Sequence, residues 1–160
     1  MSGTPTREQL AVLTRETVLL GAQAADKVDA ITQSGEVLVG TGYCAPSYVD
    51  GMLAREKVIS TYLGNGIAIP HGQPENLESV YHTGVSVLQL PEGVEWEPGE
   101  KAYLVIGLAA TSTSHEHVDV LANLVEVLQD PETTRQLVQA TDPMIIVERL
   151  TRQRSKSRWN

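Results

Sequence analysis

The stretch from Tyr103 to Ala109 is apolar at nearly every position. A strand with one face in water alternates apolar and polar side chains, whereas a strand covered on both faces is apolar throughout. This stretch is also far too short to cross a bilayer as a helix. We therefore expect it to form a central strand of a sheet that has helices packed on both faces.

Three further strands are predicted from short apolar segments bounded by turn-forming residues. Glu16–Leu20 is closed by Gly21, and Gly66–Ile69 is followed by Pro70, which stops further ladder pairing. Val85–Leu90 is expected to end at a turn made by Pro91, Glu92 and Gly93.

Apolar residues at helical spacing predict two helices in the first third of the chain. Val28, Ile31 and Leu38 share a face, and glycines after Leu38 provide a stop. Pro46 suits the first turn of a second helix running to about Lys57. That helix would place Arg55 near its C-terminal end.

Helices are also predicted after the central strand. Thr113 and Glu116 have the spacing of a capping box, which marks a helix start. Shorter helical segments follow at about 132–139 and 143–151. Strands that alternate with helices predict an α/β fold: a single domain with a mixed β-sheet flanked by helices on both faces.

Length and charge narrow the class of protein. The 160 residues suit one domain, which we place at 12–151 between a flexible N-terminus (1–11) and a polar basic tail (152–160). A net charge of −8 argues against nucleic acid and anionic membranes as partners. With no apolar targeting segment and one cysteine, Cys44, the chain is expected to be cytoplasmic, without direct membrane insertion.

His71 is the first candidate for chemistry. It lies between Pro70 and Gly72 at the end of an apolar strand, where loops usually carry functional groups. Proline fixes the path of the chain, and glycine removes bulk beside the ring. The pattern favours an imidazole presented rigidly to another protein, although a turn histidine without function fits the same residues.

His115 and His117 fall in the first turn of the helix that the capping box predicts. Residues two apart on a helix point in different directions, so the pair cannot grip one metal ion. His117 adjoins the predicted buried stripe through Leu121, whereas His115 is expected in solvent. A helix N-terminus also favours anions through its free N–H groups and dipole. The alternative is that His117 only packs against the edge of the sheet.

The sequence gives less support to nucleotide binding, metal binding or cysteine chemistry. The glycines around Asn65 lack the Lys-Ser/Thr of a P-loop, and no zinc-binding spacing is present. No cofactor or metal is therefore expected. Cys44 is expected to be a small buried residue, and His82 is expected at the surface.

The run from Arg55 through Thr61-Tyr62-Leu63-Gly64-Asn65-Gly66-Ile67-Ala68-Ile69-Pro70-His71-Gly72 resembles the active-site segment of the mannitol/fructose class of enzyme IIA. These proteins belong to the bacterial phosphoenolpyruvate-dependent sugar phosphotransferase system. Tyr62-Leu63-Gly64 and Pro91-Glu92-Gly93-Val94 are most similar to the mannitol branch. The resemblance runs from about Val12 to Leu150.

The resemblance implies a phosphotransferase with a phosphohistidine intermediate. His71 would accept a phosphoryl group from the phosphocarrier HPr and donate it to a cysteine of IIB, part of the IIB/IIC membrane sugar permease, for mannitol uptake. His117 would be the second active-site histidine and Arg55 the nearby cation. Some mannitol-type members carry an acidic residue at the position of Asn65. A regulatory IIA-type protein of the fructose or nitrogen branch, acting as a phosphorylation-controlled binding module, is the alternative.

Overall fold

A computed structural model describes residues 11–111, 122–124, 126 and 129–151 of the chain. Its strands are β1 (Val18–Leu19), β2 (Tyr62–Gly64), β3 (Ile67–Ala68), β4 (Gly84–Glu97) and β5 (Glu100–Ala109). Its helices are α1 (Lys27–Gly40), α2 (Ser47–Val58), α3 (Pro131–Val138) and α4 (Pro143–Thr151), with 3-10 helices at Arg15–Thr17 and Pro74–Ser79. Residues 122–124 and 126 are also helical.

The five strands form one mixed sheet in the order β1-β4-β5-β3-β2. β4 and β5 are an antiparallel hairpin, whereas β3 runs parallel to β5 and β1 runs parallel to β4. The C-terminal ends of β3 and of the central strand β5 therefore lie side by side. The segment that follows β3 is the one that carries His71.

Helices cover both faces of this sheet, as the apolar run of β5 predicts. Val105 packs with Ile31 and Met52 of α1 and α2 on one face. Ile106, its neighbour in β5, packs with Leu137 and Ile146 of α3 and α4 on the other. Burial of each such side chain stabilises the folded state by about 1.5–3 kcal/mol. Both faces of the central strand thus carry a hydrophobic core.

The predicted end of the third strand at Pro91-Glu92-Gly93 is wrong. β4 continues to Glu97, and its register against β5 shifts between Gln89 and Val94. Pro91 has no N–H to pair and lies exposed within this bulge, where Gly93 takes a φ of +73°. The strand then resumes because Val94 and Trp96 bury their side chains.

Two smaller differences concern the edges of the sheet. The predicted strand at Glu16–Leu20 is only Val18–Leu19, since Arg15–Thr17 forms a 3-10 turn. β2 is not predicted by the sequence pattern; it forms a hairpin with β3 through Asn65 and Gly66, both at positive φ. The Thr113–Glu116 capping box lies outside the described residues.

The two helices of the first face are confirmed. Asp26 caps α1 by accepting a hydrogen bond from the Asp29 N–H at 2.8 Å. α2 begins after Pro46 and packs closely on α1 at Gly35, where a Cβ atom would approach Val49 to 2.9 Å. This packing fixes α2 beside the end of β3.

Candidate functional site

His71 lies just past β3, in a short extension of the sheet. It forms a parallel bridge with Leu108 of β5, and the Leu108 N–H donates to the Pro70 carbonyl oxygen at 3.0 Å. The side chain is half-buried. The sheet therefore holds the backbone of this residue while leaving its ring accessible.

The backbone also orients the imidazole. Nδ1 of His71 lies 2.9 Å from the carbonyl oxygen of Ile69. Since a carbonyl oxygen only accepts hydrogen bonds, Nδ1 carries the proton and Nε2 keeps its lone pair. No hydrogen bond to Nε2 is formed within the described part of the chain. The arrangement makes Nε2 the nucleophilic nitrogen.

A cleft of about 320 Å³ adjoins this ring. Its walls come from α2, from the segment after β3 and from the end of β5: Tyr48, Arg55, His71, Gly72, Gln73, Pro74, Leu77, Leu108 and Ala110. The structure thus brings together His71 and Arg55, two of the three site residues suggested by the sequence.

Arg55 is held at the end of α2. Its Nη1 donates to the carbonyl oxygen of Ile59 at 2.7 Å, which satisfies an acceptor at the helix C-terminus. The guanidinium is partly exposed and keeps further donors for an anion. It can supply positive charge beside His71.

Tyr48 is a cleft residue that sequence reasoning missed. Its hydroxyl donates to the Leu108 carbonyl oxygen and accepts from the Gly72 N–H, each at 2.8 Å. Burial raises the pKa of this phenol to about 12, so the hydroxyl remains a donor at neutral pH. The sequence offers only a spacing of seven residues from Arg55, which puts both side chains on one face of α2 but does not by itself single out Tyr48.

The remaining histidines are placed as follows. His117 and His115 lie outside the described residues. His82 is half-buried instead of lying at the surface, and its Nδ1 is buried without a hydrogen-bond partner. The reason is its position two residues before β4, where its backbone N–H donates to the Tyr43 carbonyl oxygen.

Asn65 lies apart from the His71 cleft. It sits on the β2–β3 turn, at the opposite end of β3 from His71. There it lines a second cleft with Glu95, Glu100 and Tyr103. Asn65 is therefore not among the residues that line the cleft beside His71.

The structure also bears on the other chemistries. Cys44 is 2% exposed, and its burial raises the thiol pKa to about 11, in line with a packing role. Within the described ranges, no group of three or more His, Cys, Asp or Glu side chains could hold a metal ion. In the same part of the chain, no helix is long and apolar enough to span a bilayer.

Comparison with known proteins places this geometry in context. The family model of the phosphoenolpyruvate-dependent sugar phosphotransferase system, EIIA 2, matches residues 11–153. The chain is 47% identical over 139 residues to the multiphosphoryl transfer protein of Rhodobacter capsulatus, a match that covers 87% of this chain but only 17% of that protein. The chain therefore spans about a sixth of that longer relative.

A relative of similar size and a solved structure also match. The mannitol-specific phosphotransferase enzyme IIA component of Bacillus subtilis (strain 168) is 37% identical over 131 residues, covering 82% of this chain and 90% of that protein. The enzyme IIAMTL of Escherichia coli, solved in complex with phosphorylated enzyme IIBMTL, superimposes with a TM-score of 0.80 at 41% identity. That superposition covers 90% of this chain and 100% of the other.

Proposed function

Because the chain belongs to the EIIA 2 family of the phosphoenolpyruvate-dependent sugar phosphotransferase system, we propose that it is a phosphoryl carrier of that system. His71 accepts a phosphoryl group from the phosphocarrier HPr and donates it to a cysteine of a IIB domain. The reaction makes the protein a phosphotransferase with a phosphohistidine intermediate and takes place in the cytoplasm.

The hydrogen bond from Nδ1 of His71 to the Ile69 carbonyl oxygen carries this proposal. It leaves Nε2 with its lone pair facing incoming phosphorus. The new bond forms between Nε2 and phosphorus while the bond between phosphorus and the donor breaks, and the bonding pair leaves with the donor. Nδ1 keeps its proton throughout, so Ile69 stabilises the positive charge that the ring acquires.

The added charge needs compensation. A phosphoryl group brings about two negative charges at neutral pH, and transfer passes through a loose transition state in which positioning and electrostatics dominate. Arg55, in the same cleft, supplies one cation. We assign to His117 a hydrogen bond to a phosphoryl oxygen, as the family resemblance implies. No metal or cofactor takes part.

The surroundings of the cleft suit successive protein partners. Leu77, a lining residue, is 41% exposed, and Val58 and Ile59 beyond Arg55 are 71% and 63% exposed. Apolar side chains of this kind form the buried centre of many protein–protein interfaces. Because HPr and IIB must both reach Nε2, we propose that they dock here in turn.

The sugar is assigned through the relatives. The Bacillus subtilis relative is named for mannitol, and it matches this chain across 90% of its own length. We propose that the acceptor is the IIB part of a mannitol-type IIB/IIC membrane permease. Phosphorylation without onward transfer to such a IIB would instead favour a regulatory, phosphorylation-controlled binding module.

The decisive experiment is phosphorylation of the purified protein with phosphoenolpyruvate, enzyme I and HPr, followed by intact-mass measurement. The wild type should gain one phosphoryl group that acid removes. His71→Ala should gain none, whereas the matched variant His82→Ala should be labelled like the wild type. Full labelling of His71→Ala would refute the assignment. Addition of a mannitol-type IIB should then discharge the labelled wild type.

A further inference from the structure

Among the described residues, three hydrogen bonds attach the segment from Ile69 to Gly72 to the rest of the fold. Ile69 donates its N–H to the Thr61 carbonyl oxygen at 3.0 Å, and the Pro70 carbonyl oxygen accepts from Leu108 at 3.0 Å. The third attachment is the Gly72 N–H, which donates to the Tyr48 hydroxyl at 2.8 Å. Only this third attachment depends on a side chain from another element.

The chemistry of the Tyr48 hydroxyl suits this bridge. It must accept from Gly72 and donate to Leu108 at once, and a phenolic hydroxyl can do both. The side chain is only 5% exposed, so water cannot easily replace either bond. Gly72 fits tightly against the ring, since a Cβ at that position would lie 2.6 Å from Cε1 of Tyr48.

We propose that Tyr48 is the positioning residue that fixes His71 for phosphoryl transfer, an inference that rests on the proposed function. The hydroxyl clamps Gly72 to β5, and the segment between Pro70 and Gly72 is thereby held on both sides of the histidine. The two hydrogen bonds of the Tyr48 hydroxyl go to Leu108 and Gly72 and not to Nε2 of His71. It acts by keeping Nε2 aligned, and it links that alignment to α2, the helix that also carries Arg55.

The test compares Tyr48→Phe with the wild type in single-turnover transfer from phosphorylated HPr and onward to IIB. Phenylalanine keeps the packed ring and removes only the hydroxyl. We expect complete labelling on His71, with a rate constant at saturating HPr reduced roughly 10-fold, because small misplacements of a reacting group slow transfer strongly. The HPr concentration that gives half the maximal rate should stay unchanged.

Tyr43→Phe is the matched control. Its hydroxyl also donates to a backbone carbonyl, that of Ala11, and its side chain is 1% exposed. It lies outside the cleft lining. At a temperature where both variants are fully folded, Tyr43→Phe should transfer at the wild-type rate. Equal slowing of both variants would overturn the inference.

Ring nitrogen-15 shifts of His71 give a readout that a loss of global stability would not move. The wild type should show one tautomer, protonated at Nδ1, and Tyr48→Phe should show averaging between tautomers. Should Tyr48→Phe fail to fold, Gly72→Ala offers the same test from the other side by displacing the ring. Wild-type rates in the variant tested would refute the positioning role, whereas absence of His71 labelling in the wild type would refute the carrier function itself.

Discussion

The carboxylate of Glu56 accepts a hydrogen bond from Nε1 of Trp96 at 3.0 Å, joining the last turn of α2 to the distal half of β4. The same carboxylate accepts from the Thr61 N–H at 3.2 Å and from the Thr61 hydroxyl, and it pairs with Lys27 of α1 at 3.4 Å. Glu56 is 7% exposed. One buried charge thus fixes α2 to three other parts of the fold.

Glu56→Ala should therefore be strongly destabilising. It leaves the indole N–H and the Thr61 donors without their acceptor, and we expect a loss of about 3 kcal/mol in the free energy of unfolding. Urea denaturation followed by tryptophan fluorescence measures it. Glu36→Ala, an exposed site on α1, should change stability by less than about 0.5 kcal/mol. Equal effects of the two substitutions would contradict the role of Glu56.

Gly84 is predicted to tolerate no side chain. A Cβ there would lie 2.1 Å from Cδ1 of Tyr43, whose ring is buried and whose hydroxyl is tied to Ala11. Gly84→Ala should cost about 1–3 kcal/mol by overpacking. A Cβ added to Gly40, the last residue of α1, would meet no atom within 4 Å, so Gly40→Ala should be neutral or stabilising by up to about 1 kcal/mol. Calorimetric unfolding of both variants compares them, and a stable Gly84→Ala protein would show that the Tyr43 ring can move aside.

The fold class could be read from the sequence because its signals are local. The apolar run of β5 and the helical spacing of α1 and α2 each report which faces are buried, and the structure agrees at all three. The sequence pattern does not predict the continuation of β4 past Pro91, because the strand resumes through pairing of Val94 with Ala102 on the other strand of the hairpin. Proline and glycine mark a turn and a bulge alike in sequence.

The residues of the candidate site also differ in whether local sequence identifies them. His71 could be singled out by its position between Pro70 and Gly72, which are neighbours in sequence. Tyr48 could not, because its importance comes from two hydrogen bonds to residues 24 and 60 positions away. Side-chain partners of this kind are set by tertiary packing and leave no local pattern.

Cys44 should behave as an inert thiol. Burial raises its pKa from 9.0 to about 11, so the thiolate that reacts with disulfide reagents is scarce at pH 8. Ellman's reagent should react with the native protein at least roughly 10-fold more slowly than with the urea-unfolded chain. As pH rises, the thiol ionises in the unfolded chain before it ionises in the folded protein. The contribution of the protonated Cys44 thiol to the stability of the fold is therefore intact below pH 9 and declines towards pH 11. Fast native-state labelling at pH 8 would contradict the buried position.

Arg55 should affect the rate of phosphoryl transfer through its charge. Arg55→Ala removes the cation that lines the cleft with His71, and we expect transfer from HPr to slow roughly 10-fold because developing charge on the phosphoryl group loses its partner. Arg55→Lys keeps the charge but loses the fork that reaches the Ile59 carbonyl oxygen, so it should recover part of the rate. Single-turnover kinetics measure all three proteins.

Lys57 supplies the matched control for that experiment. It is an exposed cation two residues further along α2, and it lines a different cleft, next to Lys27 and Leu53. Removal of Lys57 changes the net charge of the protein by the same amount as removal of Arg55, so any general weakening of attraction to a partner affects both variants. Lys57→Ala should therefore transfer at nearly the wild-type rate at saturating HPr. If Arg55→Ala and Lys57→Ala slow transfer equally at saturating HPr, loss of either cation has the same effect on the transfer step, and Arg55 has no specific part in stabilising the phosphoryl group.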